Sequence, residues 1–179
     1  MNETPPRIIR TERLLLRFPE LADAVTIFDA YARDAEVTRF LTWRPNTSLA
    51  ETEEFMRGRL AEIRAGRKYS WLINADEGTR VIGMIEFSND GHRAAVGYVL
   101  ARSEWGKGYM TEALRAVIST AFMLPRIYRV WAICDVENVG SARVLEKAGM
   151  IFEGVLKRWA VHPNIGSEPR DVRCYARTR

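Results

Sequence analysis

The sequence predicts a mixed α/β (α+β) fold: a mostly antiparallel, twisted sheet of about seven strands with about four helices on its two faces. Three observations predict it. Strand and helix periodicities alternate along the chain, three consecutive strand candidates in the middle are separated only by turns, and αβ units flank them at both ends. A chain of 179 residues, 47% hydrophobic and 28% charged, reads as a single domain over residues 1–179 with a core that needs neither metal nor disulfide.

The elements follow in order. The first few residues, with Pro5 and Pro6, read as a loose tail. Residues 13–17 form a short strand around Leu14, Leu15 and Leu16, and Leu21, Val25 and Phe28 recur at helical spacing to give a first helix. Ser48–Leu49–Ala50–Glu51 matches a capping box, in which side chains satisfy the free amides that open a helix. Phe55, Met56, Leu60 and Ile63 give this second helix its apolar face, and Gly66 ends it. Strands over 69–74, 80–87 and 94–100, separated by turns at Glu77–Gly78 and Asn89–Asp90–Gly91, make an antiparallel meander. Met110, Ala113, Leu114, Val117, Ile118, Ala121 and Phe122 obey the i, i+3, i+4, i+7 rule, and Pro125 stops that helix. Residues 130–134 are apolar at every position, which predicts a central strand buried on both faces. A short helix over 141–147 capped by Gly149, then strands near 151–160 and 171–177 around a loop at 162–169, complete the chain.

Composition narrows the function. The net charge of +4 suits an anionic ligand, but Lys and Arg are scattered and not interleaved with aromatics, so a nucleic-acid module ranks last. No apolar run is long enough to span a bilayer, and the N-terminus lacks the apolar core of a signal peptide, so a cytoplasmic location is expected, with no membrane partner. Cys134 and Cys174 form no CxxC pair and have no histidine at metal-ligand spacing; they read as buried free thiols, and no metal is expected.

The strongest chemical signal is a turn. The chain passes from Tyr98, Val99 and Leu100 through Trp105–Gly106–Lys107–Gly108–Tyr109–Met110–Thr111 into the most regular helix. Gly106 and Gly108 permit positive φ, so successive amides can point into one concavity at a helix N-terminus, where unpaired N–H groups and the dipole favour an anion. A pyrophosphate is the natural occupant, and Lys107 adds charge or faces solvent. A dinucleotide fingerprint needs Gly or Ala where Thr111 stands, and a P-loop needs four residues between its glycines. Gly97, inside the preceding strand, marks either a bulge that exposes the backbone of Val99 and Leu100 or close packing under a neighbour such as Trp105.

These residues resemble the acetyl-coenzyme A signature of the GNAT acetyltransferase superfamily. A second segment, Asp135–Val136–Glu137–Asn138–Val139–Gly140–Ser141 followed by Val144–Leu145–Glu146–Lys147–Ala148–Gly149–Met150, is similar to that family's next motif. Thr11–Glu12–Arg13–Leu14 and Phe40–Leu41–Thr42–Trp43 resemble its ribosomal-protein N-terminal (alanine) acetyltransferase-like branch, and the likeness runs over about residues 8 to 178. The resemblance implies a GNAT-like sheet splayed between its fourth and fifth strands, with acetyl-CoA as acetyl donor. It implies that backbone amides of Val99 or Leu100 contact the pantetheine arm. Amides of Trp105, Gly106, Lys107, Gly108, Tyr109, Met110 and Thr111 would hold the pyrophosphate, and Asn138 and Ser141 would lie beside the pantetheine and sulfur. A glutamate that many relatives carry just before the Gly–Tyr of the fourth strand is replaced here by Ala95–Val96.

Acetyl transfer needs a neutral amine, a stabilised oxyanion and a proton for the leaving thiolate. Ser141 is the candidate acid, although its place in a first helical turn equally suits a cap. Glu86, which interrupts an apolar run, is the candidate base if its carboxylate faces a cleft rather than solvent. An α-amine, with a pKa of about 8, needs less help than a lysine near ~10.4, so the missing obvious base favours a protein N-terminus as acceptor. Phe40, Trp43, Trp159 and His162 are candidates for the acceptor pocket. Direct transfer in a ternary complex is expected, by a monomer or homodimer. The alternatives are an acetyltransferase of small amines (polyamine, amino acid or antibiotic) and a non-catalytic acyl-CoA-binding regulatory domain.

Overall fold

The computed structural model describes residues 4–75 and 78–179. Glu77 of the predicted Glu77–Gly78 turn and the first three residues of the predicted tail lie outside them. Eight strands form one sheet, in the order β1 (Ile8–Arg10), β2 (Leu15–Arg17), β3 (Lys68–Ala75), β4 (Arg80–Asp90), β5 (Arg93–Leu100), β6 (Arg129–Asp135), β8 (Arg170–Thr178), β7 (Ile151–Ala160). Every pairing is antiparallel except β5 with β6. Strand β1 is additional to the predicted set; three residues are too few to show an alternation. Pro5 and Pro6 are not a loose tail: Pro5 is buried and the Pro6 carbonyl accepts a hydrogen bond from the Trp71 indole at 3.1 Å.

Alternation along β3 and β4 sends side chains to two cores. Trp71, Ile73, Ile85 and Phe87 pack with Ala113, Leu114, Val117 and Ile118 of α4 (Tyr109–Met123) and with Ala142 and Leu145 of α5 (Val139–Lys147). Leu72 and Met84 point the other way, onto α1 (Ala24–Ile27), α2 (Ala35–Thr38) and α3 (Leu49–Arg64) through Ile27, Val37 and Met56. Leu114 is fully buried. Leu114→Ala should therefore lower unfolding free energy by about 2–5 kcal/mol in a denaturant titration, with an unchanged m-value.

Three sequence expectations are corrected here, and one short helix is added. The first helix buries Ala24, Ile27 and Tyr31, whereas Leu21 and Val25 are exposed. The segment is apolar on two stripes, and a π turn over Phe28–Ala32 rotates the second one inward. Phe55, placed on the buried face of α3, is exposed, and only Thr52 and Met56 of that helix are fully buried. Helix α2 is a single turn that Asp34 caps, too short to show a period. Strand β6 is buried on one face only: Val130, Ala132 and Cys134 are covered, but Trp131 and Ile133 are half-buried because α1 to α3 sit over β3 and β4 instead. Among the described residues no helix is long and apolar enough to cross a membrane.

Candidate active site

Strand β5 follows β4 in unbroken register from Asp90↔Arg93 to Gly83↔Leu100, so Gly97 marks no bulge on that side. It pairs with β6 only at Arg93↔Arg129, Ala94↔Val130 and Ala95↔Trp131. Beyond Ala95 the two strands part. The gap opens into a cleft of about 1540 Å³ that reaches both sides of the sheet, from Arg115 and Lys147 on α4 and α5 to Glu36 and Phe40 at α2.

The edge of β5 in this gap is polar backbone. Ala101 N–H donates to Ile82 O of β4 at 2.8 Å, so alternation turns the neighbouring Leu100 amide toward the gap. The Leu100 carbonyl accepts from the Trp105 indole at 2.9 Å, which pins the turn to the strand. Gly106 and Gly108 have φ of 78° and 83°, and α4 begins at Gly108 without a capping side chain. Helices α2, α3 and α5, by contrast, are capped by Asp34, Ser48 and Asn138. The α4 N-terminus thus presents uncapped amides to the cleft, an arrangement that fits a pyrophosphate. The N-terminal segment braces it: Thr11 Oγ1 and the Arg13 amide and guanidinium all bind the Glu112 carboxylate, at 2.6, 2.8 and 2.7 Å.

Opposite lies the N-terminus of α5. Asn138 Oδ1 accepts from Ser141 N–H at 3.0 Å, so Asn138 is the cap and the Ser141 hydroxyl is released from that task. It instead meets the Tyr98 hydroxyl at 2.8 Å, across the gap from β5. Burial pushes the Tyr98 phenol well above its ordinary range, outweighing the Ser141 hydrogen bond, so Tyr98 stays protonated. Burial likewise pushes the Cys134 thiol up to about 11, which keeps it un-ionised beside Ser141. Neither cysteine is disulfide-bonded; Cys134 is buried and Cys174 half-buried. Among the described residues no group of His, Cys, Asp or Glu is arranged to hold a metal.

Val99, Leu100, Trp105, Gly106, Gly108, Met110, Thr111, Asn138, Ser141, Phe40 and His162 all line this cleft. The other candidate side chains do not line it, although the backbone of Lys107 and Tyr109 belongs to the same turn. Lys107 is tied to Glu104 at 3.2 Å, and Tyr109 stacks under the Arg13 guanidinium. Glu86 is held by Arg59, with Lys68 at 3.7 Å, away from the cleft lining. Trp43 packs near Phe55, and Trp159 is exposed on the edge strand β7. Sequence reasoning missed Tyr98, which lines the cleft, and Asp135, which lies beside the cleft residue His162. An aromatic in an apolar strand reads as core, and an Asp at a strand end reads as a turn.

Asp135 is fully buried at the end of β6. Burial opposes its ionisation, but Arg170, bonding through Nε at 2.6 Å and Nη2 at 3.1 Å, and the Glu137 amide outweigh it and hold the carboxyl below its usual value. Glu104 and Glu112 are held low in the same way, burial again opposing and their Arg, Lys and Thr partners prevailing. Such depressed groups stabilise the fold fully above their unfolded values of about 3.9 to 4.3, and that contribution is lost as pH falls through the folded values. The melting temperature should therefore hold down to about pH 4.5 and drop steeply below it, and less steeply in Asp135→Asn.

A family profile described as an Acetyltransferase (GNAT) domain matches residues 13–151. The chain belongs to the GNAT acetyltransferase family. An uncharacterized N-acetyltransferase, p20, of Bacillus licheniformis is 31% identical to this GNAT protein over 150 residues, 82% of this chain and 84% of the relative. The [ribosomal protein uS5]-alanine N-acetyltransferase of Escherichia coli is 29% identical over 168 residues, 87% of this chain and 84% of that one. A ribosomal L7/L12 α-N-protein acetyltransferase solved with coenzyme A superposes with a TM-score of 0.85 at 24% identity, covering 96% of this chain and 97% of that chain, which establishes the shared fold. This GNAT protein is an acetyl-CoA-dependent N-acetyltransferase.

Proposed function

We propose that this acetyltransferase modifies the N-terminal α-amine of a cytoplasmic protein by direct transfer in a ternary complex. The observation that carries the proposal is the cleft that passes through the sheet between β5 and β6. A donor lying against α4 and α5 and an acceptor entering from the α2 side meet in the gap, so no acyl-enzyme is needed. The volume of about 1540 Å³ exceeds that of a usual small-ligand pocket and leaves room for a peptide end beside the pantetheine arm. The related uS5-alanine enzyme supports a protein α-amine as acceptor.

The residues then divide the work. Uncapped amides from Gly106 to Thr111 hold the pyrophosphate, the Trp105 amide being taken by the Arg102 carbonyl at 3.2 Å. The Leu100 amide faces the donor's carbonyl oxygen, where it stabilises developing negative charge. Acetyl-CoA supplies the activated acetyl group. Ser141, hydrogen-bonded to protonated Tyr98, delivers a proton to the leaving sulfur. Phe40 lines the acceptor end. Mass spectrometry of acetyl transfer to a panel of N-terminal peptides, polyamines and small amines decides the acceptor. Transfer to the peptides' α-amines supports the proposal, and transfer confined to polyamines or free amino acids overturns it.

A further inference from the structure

The acetyltransferase reading leaves one proton without a destination. An acceptor entering as R–NH3⁺ loses two protons for each amide formed: one ends on the coenzyme A sulfur, and the other must leave the nitrogen before its lone pair can attack. Ser141 and Tyr98 serve the sulfur, and Glu86 is bound to Arg59 outside the cleft.

His162 lines the cleft just past the end of β7 and is only 5% exposed. Among the described residues neither of its ring nitrogens has a hydrogen-bond partner. A buried imidazole with both ring nitrogens unbonded is unusual, and because it lines the cleft it marks a place for an arriving polar group. Among the described residues its ion-pair neighbour is Asp135, whose Oδ2 lies 3.5 Å from Nε2. Arg170 holds that carboxylate from the far side. The loop itself is fixed. Asn164 donates to the carbonyls of Thr38 and Trp43, both at 2.7 Å, and the Ile165 and Gly166 amides close a turn on the His162 carbonyl. This pins the imidazole between β6 and the α2 segment, where the acceptor enters.

We propose that His162, oriented by Asp135, is the base that takes the first proton from the acceptor ammonium. Asp135 draws the Nε2–H toward itself, which leaves the Nδ1 lone pair for the substrate. The proton passes from R–NH3⁺ to Nδ1, giving R–NH2 and an imidazolium that Asp135 stabilises, and then to solvent. The amine lone pair forms the N–C bond as the C–S bond breaks. Asp135 is a positioning residue, because it acts through the imidazole. The charged groups around the ring are Asp135 of β6, Arg170 of β8 and Glu137, which also pairs with Arg170 at 2.9 Å; Glu36 and Arg39 line the same cleft. The inference rests on acetyl transfer to an ammonium-bearing acceptor and on no particular acceptor.

Two measurements test it. With a hexapeptide bearing a free N-terminal alanine, His162→Gln should lower kcat/KM at pH 7 by about 10²-fold or more, while calorimetry gives an unchanged Kd for coenzyme A. The deficit should narrow as pH rises toward the peptide amine's own pKa of about 8, where the amine needs no base. A variant within threefold of wild type, or a deficit constant from pH 6 to 9, overturns the proposal. The second measurement needs no acceptor. The chain has two histidines, so ¹⁵N imidazole spectra contain two sets of signals, which His162→Gln assigns. Neutral His162 should carry its proton on Nε2; a proton on Nδ1 overturns the proposal. If the peptide is not acetylated by wild type, the proposed acceptor fails and the tautomer still decides the role of His162.

Discussion

Ser141→Ala is expected to lower kcat by about 10²-fold or more while leaving coenzyme A affinity unchanged. The reasoning is local. Asn138, not Ser141, caps α5, so the alanine keeps the helix N-terminus intact. What is lost is the hydroxyl that meets Tyr98 at 2.8 Å, with it the proton for the departing thiolate. Stability should fall by only about 1 kcal/mol, because Tyr98 retains the Ser141 carbonyl at 3.3 Å as an acceptor. Tyr98→Phe, which keeps the serine hydroxyl but removes its partner, should show a smaller loss of kcat in the same direction. Steady-state kinetics with calorimetry for coenzyme A distinguishes the cases. If Ser141→Ala turns over at the wild-type rate, water protonates the sulfur and the Tyr98–Ser141 pair only sets the width of the gap.

Gly83→Ala is expected to damage both stability and activity. A Cβ there would sit 2.3 Å from the Val99 carbonyl oxygen and 3.2 Å from Leu100 Cα, both backbone atoms that cannot rotate away. Strand β5 has to shift where its backbone edges the cleft. Overpacking of this kind costs about 1–3 kcal/mol in stability. The functional loss should be larger in proportion, since a displacement of about 1 Å in a positioned group costs on the order of 10²-fold in rate. Thermal unfolding and kinetics on one preparation give both numbers. A folded variant of normal activity would show that the β5 backbone does not position the reaction. The equivalent change at Gly58, where a Cβ meets nothing within 4 Å, is the control.

The geometry of the glycine turn was legible in the chain because it is contiguous. Two glycines at positive φ, the strand before them and the apolar stripe of α4 after them all lie within residues 98–123, and turn geometry depends on residues a few positions apart. The meander, the α4 stripe and the caps at Ser48 and Gly149 were readable for the same reason. Periodicity failed where a segment has two apolar stripes, as in the first helix, or where only the cover on one face decides burial, as in β6.

The sequence by itself determined that a turn with two glycines opens a buried helix and that capping competes with catalysis for Ser141. Only the tertiary structure decided the competition, by bringing Tyr98 to Ser141 across 43 residues of chain. It likewise brought Arg170 to Asp135 across 35 residues, set His162 beside that carboxylate, and drew Glu86 to Arg59 instead of the cleft. The physical reason is sheet order. Parting β5 from β6 after three paired residues, and placing β8 against β6, fixes which side chains share the gap, and no local pattern of residues encodes that adjacency.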